Sequence, residues 1–304
     1  MNAIIYVFSG TGNTMRICSL YKEEFEKHGV DTTLYPVHSD FSDLPDPEGY
    51  DYVGFAYPIH AFNAPSIMLD LATKIKAVSH KEFFILKSSG EPLKINNVSS
   101  LRFVDILKKK GYALKSEYHY VMPYNMIFRH TDREAIKMWE TAKALCPIEA
   151  REVLDGTEHQ LPGVFLGRFI AWIFRIEQIA MRINGRFFKV KTDKCILCRK
   201  CEKACPTQNI HIDEDGAFHF GKNCIMCTRC SFHCPTDAFK IGILNGWRVN
   251  GAYPLDNAWD ETAPEPKHRH GWYCKKAYAR YYSEAQDKIK HSYDCVSEKT
   301  GDQE

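Results

Sequence analysis

A cysteine pattern that occurs twice constrains this chain more than any other feature. "KCILCRKCEKACPTQNI" begins at Lys194 and recurs as "NCIMCTRCSFHCPTDAF" at Asn223. Each copy reads C-x2-C-x2-C-x3-C-P: Cys195, Cys198, Cys201 and Cys205 before Pro206, then Cys224, Cys227, Cys230 and Cys234 before Pro235. Eight of the twelve cysteines of a 304-residue chain thus fall in one short stretch. Under reducing conditions, thiols at this density favour metal ligation over disulfides.

The spacing is that of the bacterial two-cluster iron–sulfur run, in which three close thiolates hold one cube and the fourth cysteine reaches the other. The ligand sets are therefore crossed: Cys195, Cys198, Cys201 and Cys234 for one [4Fe–4S] cluster, Cys224, Cys227, Cys230 and Cys205 for its partner. A structural zinc module is the alternative, but zinc sites more often pair two C-x2-C units. Over about fifty residues the segment resembles bacterial two-cluster ferredoxins and matches every ligand position. Ile196, Leu197, Ile225, Met226 and Phe239 are expected to shield the clusters from water and keep their potentials low. Cys18, Cys146, Cys274 and Cys295 lack such spacing. Cys18 reads as a core residue, and a further metal near Cys274, Cys295, His268, His270 and His291 has no recognised spacing behind it.

Upstream, from Ala3 to about Pro123, short apolar runs alternate with amphipathic segments of helical length. The runs are "AIIYVF", "VDTTLYPV", "YDYVGFAYP", "EFFILKSS" and "YHYVMP", with helices expected near 13–28, 65–78, 98–110 and 132–146. This alternation implies an α/β fold, a doubly wound parallel five-stranded sheet covered by helices on both faces, followed by a small α+β iron–sulfur domain. The expected divisions are 1–150 for the first domain, 151–191 for an apolar linker, 192–242 for the cluster domain and 243–304 for an aromatic and charged tail, weakly helical over 273–291.

The linker segment "LPGVFLGRFIAWIFRIEQIAMRINGRFF" is strongly apolar, yet Arg168, Arg175, Glu177, Arg182 and Arg186 interrupt it and argue against a membrane span. Its favoured reading is a buried helix joining two domains; the alternative is a basic amphipathic helix lying on a membrane surface. The amino terminus shows no basic leader before its apolar run, so the cytoplasm is the expected compartment. A formal charge of +2, with basic residues spread along the chain, gives no footprint for nucleic acid.

The loop "SGTGNT" joins the first run to the first helix, so backbone N–H groups and the helix dipole point at an anion. A P-loop would need a lysine that is absent, and a dinucleotide loop would need a third glycine where Met15 stands. A plain turn-to-helix cap stays open. Ser9, Gly10, Thr11, Gly12, Asn13 and Thr14 resemble the flavodoxin phosphate loop, which holds the phosphate of flavin mononucleotide, FMN. The resemblance implies two further flavin loops, "YPIHAFNAP" and "KSSGEP". Tyr57, Pro58, His60, Ala61, Phe62 and Asn63 would lie against the ring, with Tyr57, His60 and Phe62 as stacking candidates, and Ser88, Ser89 and Gly90 at its pyrimidine end. "MPYNM", 122–126, ends the fifth strand on the same side.

Together the two halves resemble the flavodoxin–ferredoxin fusion proteins of anaerobic bacteria, from Met1 to about Arg248. The resemblance implies an electron-transfer protein holding FMN and two [4Fe–4S] clusters, whose substrate is another redox protein. A flavin-dependent reductase of a small molecule, fed by its own clusters, is the alternative, with His60 as the one obvious proton donor. A redox or oxygen sensor is a third reading, without a recognisable output module to support it.

Overall fold

The computed structural model describes residues 1–258 and 272–301, with side chains in the second stretch described over 274–292. The expected alternation folds as β1 (Asn2–Val7), α1 (Asn13–Lys27), β2 (Asp31–Pro36), β3 (Tyr52–Pro58), α2 (Ser66–Lys74), β4 (Lys81–Ser89), α3 (Leu101–Lys108), β5 (Tyr112–Val121) and α4 (Asp132–Leu154). The strands form one parallel sheet in the order β2-β1-β3-β4-β5. That is the flavodoxin-like order, and it puts the ligand crevice at the carboxyl ends of β1 and β3, where the strand order reverses.

Helix α1 forms because Thr14, Ile17, Cys18, Tyr21 and Phe25 repeat at three and four residues and bury one face. Gly29, in the left-handed region, ends it. One core lies between α1, α4 and the sheet, around Phe25, Phe84, Tyr120 and Trp139. The other lies under α2 and α3, around Phe55, Leu71, Phe83 and Phe103.

Helix α4 outruns its expected end at Cys146. It opens on a Thr131–Glu134 capping box and continues through Pro147 to Leu154. Proline costs the helix a hydrogen bond, but Ala150 and Val153 beyond it are buried in the first core, and that packing carries the helix on.

The cluster segment contains β6 (Lys189–Val190), α7 (Lys200–Lys203), β7 (Ile210–Ile212), β8 (Phe218–Phe220), α8 (Arg229–Phe232) and β9 (Phe239–Lys240). The duplication visible in the sequence recurs in the backbone. Leu197 and Met226, Arg199 and Thr228, and Gln208 and Asp237 occupy matching places in the two repeats and all have positive φ. Such residues bend each run of cysteines into a loop.

One expectation needs correction. The apolar linker is not a buried helix: it folds as α5 (Gly167–Ile173) and α6 (Arg175–Gly185), meeting at Phe174. Ala171, Asn184 and Gly185 are buried, whereas Phe169, Trp172, Ile176, Ile179 and Ile183 stand exposed, because nothing among the described residues covers the outer side. The tail carries a helix over the stretch where weak helicity is expected. Its helix α9 (Trp272–Gly301) packs against α4, and the Tyr281 hydroxyl accepts a hydrogen bond from the Val121 N–H at the end of β5. Lys288 reaches Glu149 and Glu152 on α4 at 3.1 and 2.8 Å. His268 and His270, and the side chain of Cys295, lie outside the described residues. Among the described residues no group of three or more His, Cys, Asp or Glu side chains is gathered to hold a single metal ion. No described helix is long and apolar enough to cross a membrane.

Directly beneath the crevice a cation is sealed in the sheet. Lys87 on β4 is fully buried, and its Nζ lies 2.8 Å from Glu117 Oε1 on β5. Burial lowers the Lys87 pKa while Glu117 opposes that shift. Lys87→Met leaves a buried carboxylate without its cation and is expected to lower the unfolding free energy by about 3–5 kcal/mol in urea titrations. Adding Glu117→Leu should recover most of that loss; equal stability of the single variant and the wild type would refute the assignment.

Candidate functional site

Three loops at the carboxyl edge of the sheet enclose a cavity of about 450 Å3, within the usual range for a cofactor site. Its wall includes Ser9, Gly10, Thr11, Asn13 and Thr14 from the first loop, Pro58, His60, Ala61 and Phe62 from the second, and Ser88, Ser89 and Gly90 from the third. Met122 to Ile127 close the side beyond β5.

The first loop is wired to the others. Thr14 Oγ1 and Ser88 Oγ are 2.8 Å apart, and the side-chain amides of Asn13 and Asn125 donate to Pro123 O and Thr11 Oγ1. Ser9 Oγ accepts from the N–H groups of Gly12 and Met15. Gly12 has φ +107°, a conformation that side chains rarely adopt, so its place at the head of α1 calls for glycine. The N–H groups of the first helical turn, Asn13 and Thr14 among them, lack partners within α1 and favour an anion at this end of the cavity.

The second loop is a tight turn. His60 and Asn63 exchange backbone hydrogen bonds of 2.9 and 3.0 Å, and the central residues Ala61 and Phe62 have φ 50° and 54°. Positive φ at two consecutive non-glycine residues costs energy and persists only under outside constraint. Asn63 Nδ2 donates to Ala61 O and to Ala171 O on α5, while the Phe62 ring meets Phe174 edge-on at 4.7 Å. The linker helices therefore set the shape of this loop. Burial pushes the His60 pKa down to about 4, so its imidazole is neutral at neutral pH.

In the third loop, Ser89 Oγ and His119 Nε2 are 2.7 Å apart, and Asn96 Nδ2 donates to Ser89 Oγ and Glu91 O. Burial, helped by the Lys87 charge, lowers the His119 pKa to about 3. The Tyr124 ring lies flush on Gly90, where a Cβ would come within 2.5 Å of it. From the tail, Tyr278 donates its hydroxyl proton to Gly90 O.

Three expected contacts are absent from the cavity wall. Tyr57 is turned into the second core against Phe103, at 5.7 Å between rings, because strand alternation puts it on the same face as Phe55. Asn63 spends its side chain on the turn itself, and Gly12 acts through its backbone angle. Phe174, Glu177, Met181, Met226, Ile127 and Trp247 line the wall without having been expected there. The three-and-four spacing of Phe174, Glu177 and Met181 was an available signal of an inward helix stripe. Burial raises the Glu177 pKa.

The cysteines flank this cavity. Cys195, Cys198, Cys201 and Cys234 line a second cavity of about 390 Å3, together with Cys230. Burial raises the pKa of the Cys224, Cys227 and Cys230 thiols, with neighbouring Cys205 a smaller contributor to each. N–H groups of Asn209 and Ala238 donate to Cys205 Sγ and Cys234 Sγ at 3.2 and 3.3 Å, and such bonds tune cluster potentials. The apolar shell is lopsided: Ile225, Met226 and Phe239 are buried, while Ile196 and Leu197 are 64% and 52% exposed.

The second cysteine run abuts the first loop. A Cβ on Gly10 would lie 2.6 Å from Cys227 O, so only glycine fits there without movement. Arg229 donates from Nε to Gly10 O at 3.0 Å, from Nη1 to Ala204 O at 2.9 Å, and from Nη2 to Ser9 O. Met226, between Cys224 and Cys227, lines the loop cavity itself. At Gly185, α6 leaves room for Cys224 Cβ, which a side chain would meet at 2.2 Å.

The flavodoxin-type sheet and the paired cysteine runs make this a redox, electron-transfer protein. Residues 194–238 match the family model of the 4Fe-4S dicluster domain. Solved structures similar to the amino-terminal half include a short-chain flavodoxin associated with a non-canonical PDU bacterial microcompartment, at 16% identity over 51% of this chain and 97% of that one, with a TM-score of 0.38. A flavodoxin from Streptococcus pneumoniae TIGR4 matches at 15% over 51% and 99%, TM-score 0.37, and flavodoxin 1 from Bacillus cereus at 12% over 51% and 98%, TM-score 0.35. No significant match is found among curated protein sequences.

Arg229→Leu removes three charge-assisted hydrogen bonds that hold the first loop against the cluster segment. It should loosen the first loop from the cluster segment and lower the unfolding free energy by about 2 kcal/mol or more in urea titrations. Acid should also destabilise the fold through His60 and His119. Both have folded pKa values below the unfolded value of 6.5, so the unfolded chain takes up the extra protons as pH falls from about 6.5 toward 4, and stability falls with it. His119→Gln should reduce the stability lost between the two pH limits by on the order of 1 kcal/mol in urea titrations.

Proposed function

We propose that this chain holds FMN and two [4Fe–4S] clusters and passes electrons between them, to or from a partner redox protein. The observation that carries the reading is the junction itself: Gly10 of the first loop against Cys227, Arg229 bound to Ser9 and Gly10, and Met226 in the wall of the loop cavity. A site that carries single electrons and a site able to carry one or two are built into one contact.

The residues present fit these groups. Ser9 to Thr14 would hold the FMN phosphate by first-turn amides and hydroxyls, and the loops at Pro58–Phe62 and Ser88–Gly90 would hold the ring. Cys224, Cys227, Cys230 and Cys205 would hold the cluster beside the cavity, and Cys195, Cys198, Cys201 and Cys234 the one nearer solvent, where Cys198 is exposed. When bound, clusters exchange one electron at a time, and flavin links one-electron to two-electron chemistry. The protein sets distances, excludes water and donates hydrogen bonds to the sulfurs.

A second reading, a flavin-dependent reductase of a small molecule, draws on one observation. Glu177, a carboxyl whose protonated form burial favours, lines the cavity with His60 and could supply a proton there. Prompt oxidation of the reduced protein by small acceptors, with no partner protein present, and its loss in Glu177→Gln, would favour this reading over the carrier.

Anaerobic reconstitution should give one flavin and about eight irons per chain; full zinc occupancy without iron would sink the proposal. Cys205→Ala and Cys234→Ala should each reduce iron to about four per chain with the flavin retained, and low-temperature paramagnetic spectra should show a different cluster lost in each.

A further inference from the structure

The outer face of α5 and α6 is the most unusual surface of the molecule. Phe169, Trp172, Ile176, Ile179 and Ile183 follow one another at three and four residues and are between 50% and 68% exposed, and Phe165, just before α5, is 89% exposed. The stripe continues across the break at Phe174, so the two helices present one apolar face. Phe169 and Trp172 stack on each other, at 6.0 Å between rings, rather than on the body of the protein. Contiguous exposed apolar surface of this extent marks an interaction site. The opposite face is already committed: Phe174, Glu177 and Met181 line the loop cavity, and Gly185 lies on Cys224.

Charge decides what the face fits. Between residues 161 and 188 there are four arginines against the single Glu177, and Glu177 is turned inward. Arg182 is exposed on α6 with its charge acting on Asp70 of α2, Arg186 is exposed at the carboxyl cap of that helix, and Arg168 is exposed at the start of α5, where it pairs with Asp105. A second copy applied to the same face would bring arginine against arginine. Aromatic and aliphatic side chains flanked by arginine match the boundary of a lipid bilayer with anionic headgroups.

We infer that the outer face of α5 and α6 docks the protein on anionic membrane surfaces. The helices lie in the interface plane without spanning it, with the apolar stripe in the acyl boundary and the arginines at the headgroups. Docking in this way leaves the cofactor cavity on the protein side of one helix layer, about 10 Å thick.

The test is flotation of the cofactor-loaded full chain with vesicles of phosphatidylcholine alone and of phosphatidylcholine with about 30% phosphatidylglycerol. Binding to the anionic vesicles is expected, at least about tenfold weaker to neutral vesicles and in about 0.5 M salt. Phe169→Ser/Ile176→Ser should lower the partition about tenfold or more, with flavin and iron content unchanged. Arg182→Ala/Arg186→Ala should also lower it, and it alters no apolar packing if the first variant fails to fold. Absence of vesicle binding, or binding indifferent to lipid charge and to both variants, overturns the inference. So does self-association, read by light scattering, that Phe169→Ser/Ile176→Ser disperses while vesicles are ignored, since a second copy would then cover the face.

Discussion

The missing side chain of Gly10 is the constraint on which the rest of the site depends. Without a Cβ there, the carbonyl of Cys227 can close on the loop that heads α1, and the Arg229 guanidinium can span Ser9, Gly10 and Ala204. Two modules that each have a core of their own are thereby joined through backbone atoms rather than through a loose linker. A charged donor shared among carbonyl oxygens is directional and hard to satisfy in any other arrangement. Met226 enters the cavity as a consequence, because it sits between the two cysteines that this contact draws in.

The elements between and after the modules do more than connect them. Helix α5 supplies the Ala171 carbonyl that holds Asn63, and Phe174 supports Phe62, so the strained turn at Ala61 and Phe62 is maintained from outside the sheet. Helix α9 returns to the sheet and holds Gly90 through the Tyr278 hydroxyl. Each of the loops is thus set by residues distant in sequence. Such dependence is expected where backbone must adopt costly angles, since local interactions alone would relax them.

The cysteine spacing and the apolar alternation were legible from the chain alone. Both are local: C-x2-C-x2-C-x3-C specifies a ligand geometry within one turn of chain, and five apolar runs separated by helix-length segments leave a parallel sheet as the natural solution. The first loop was legible for the same reason, as adjacent residues between a strand and a helix. Tyr57 misled because its aromatic side chain and its place beside a loop suggested the cavity, whereas its strand parity sends it to the core against Phe103. The end of α4 misled because Pro147 is a local stop signal, and the packing of Ala150 and Val153 that overrides it is tertiary. In the linker, apolar composition suggested burial, which depends on whether another surface is present to receive the side chains.

The sequence by itself determined the two modules, the cysteine runs and the loop at Ser9 to Thr14, since these rest on periods and spacings of a few residues. Only the tertiary structure decided which cysteine run faces the loop cavity, that Met226, Phe174 and Glu177 enter it, and that α5 and α6 leave an apolar stripe outside. The physical reason is that contacts between residues as far apart as Gly10 and Cys227 depend on how finished elements pack, and no period or spacing in the chain records that.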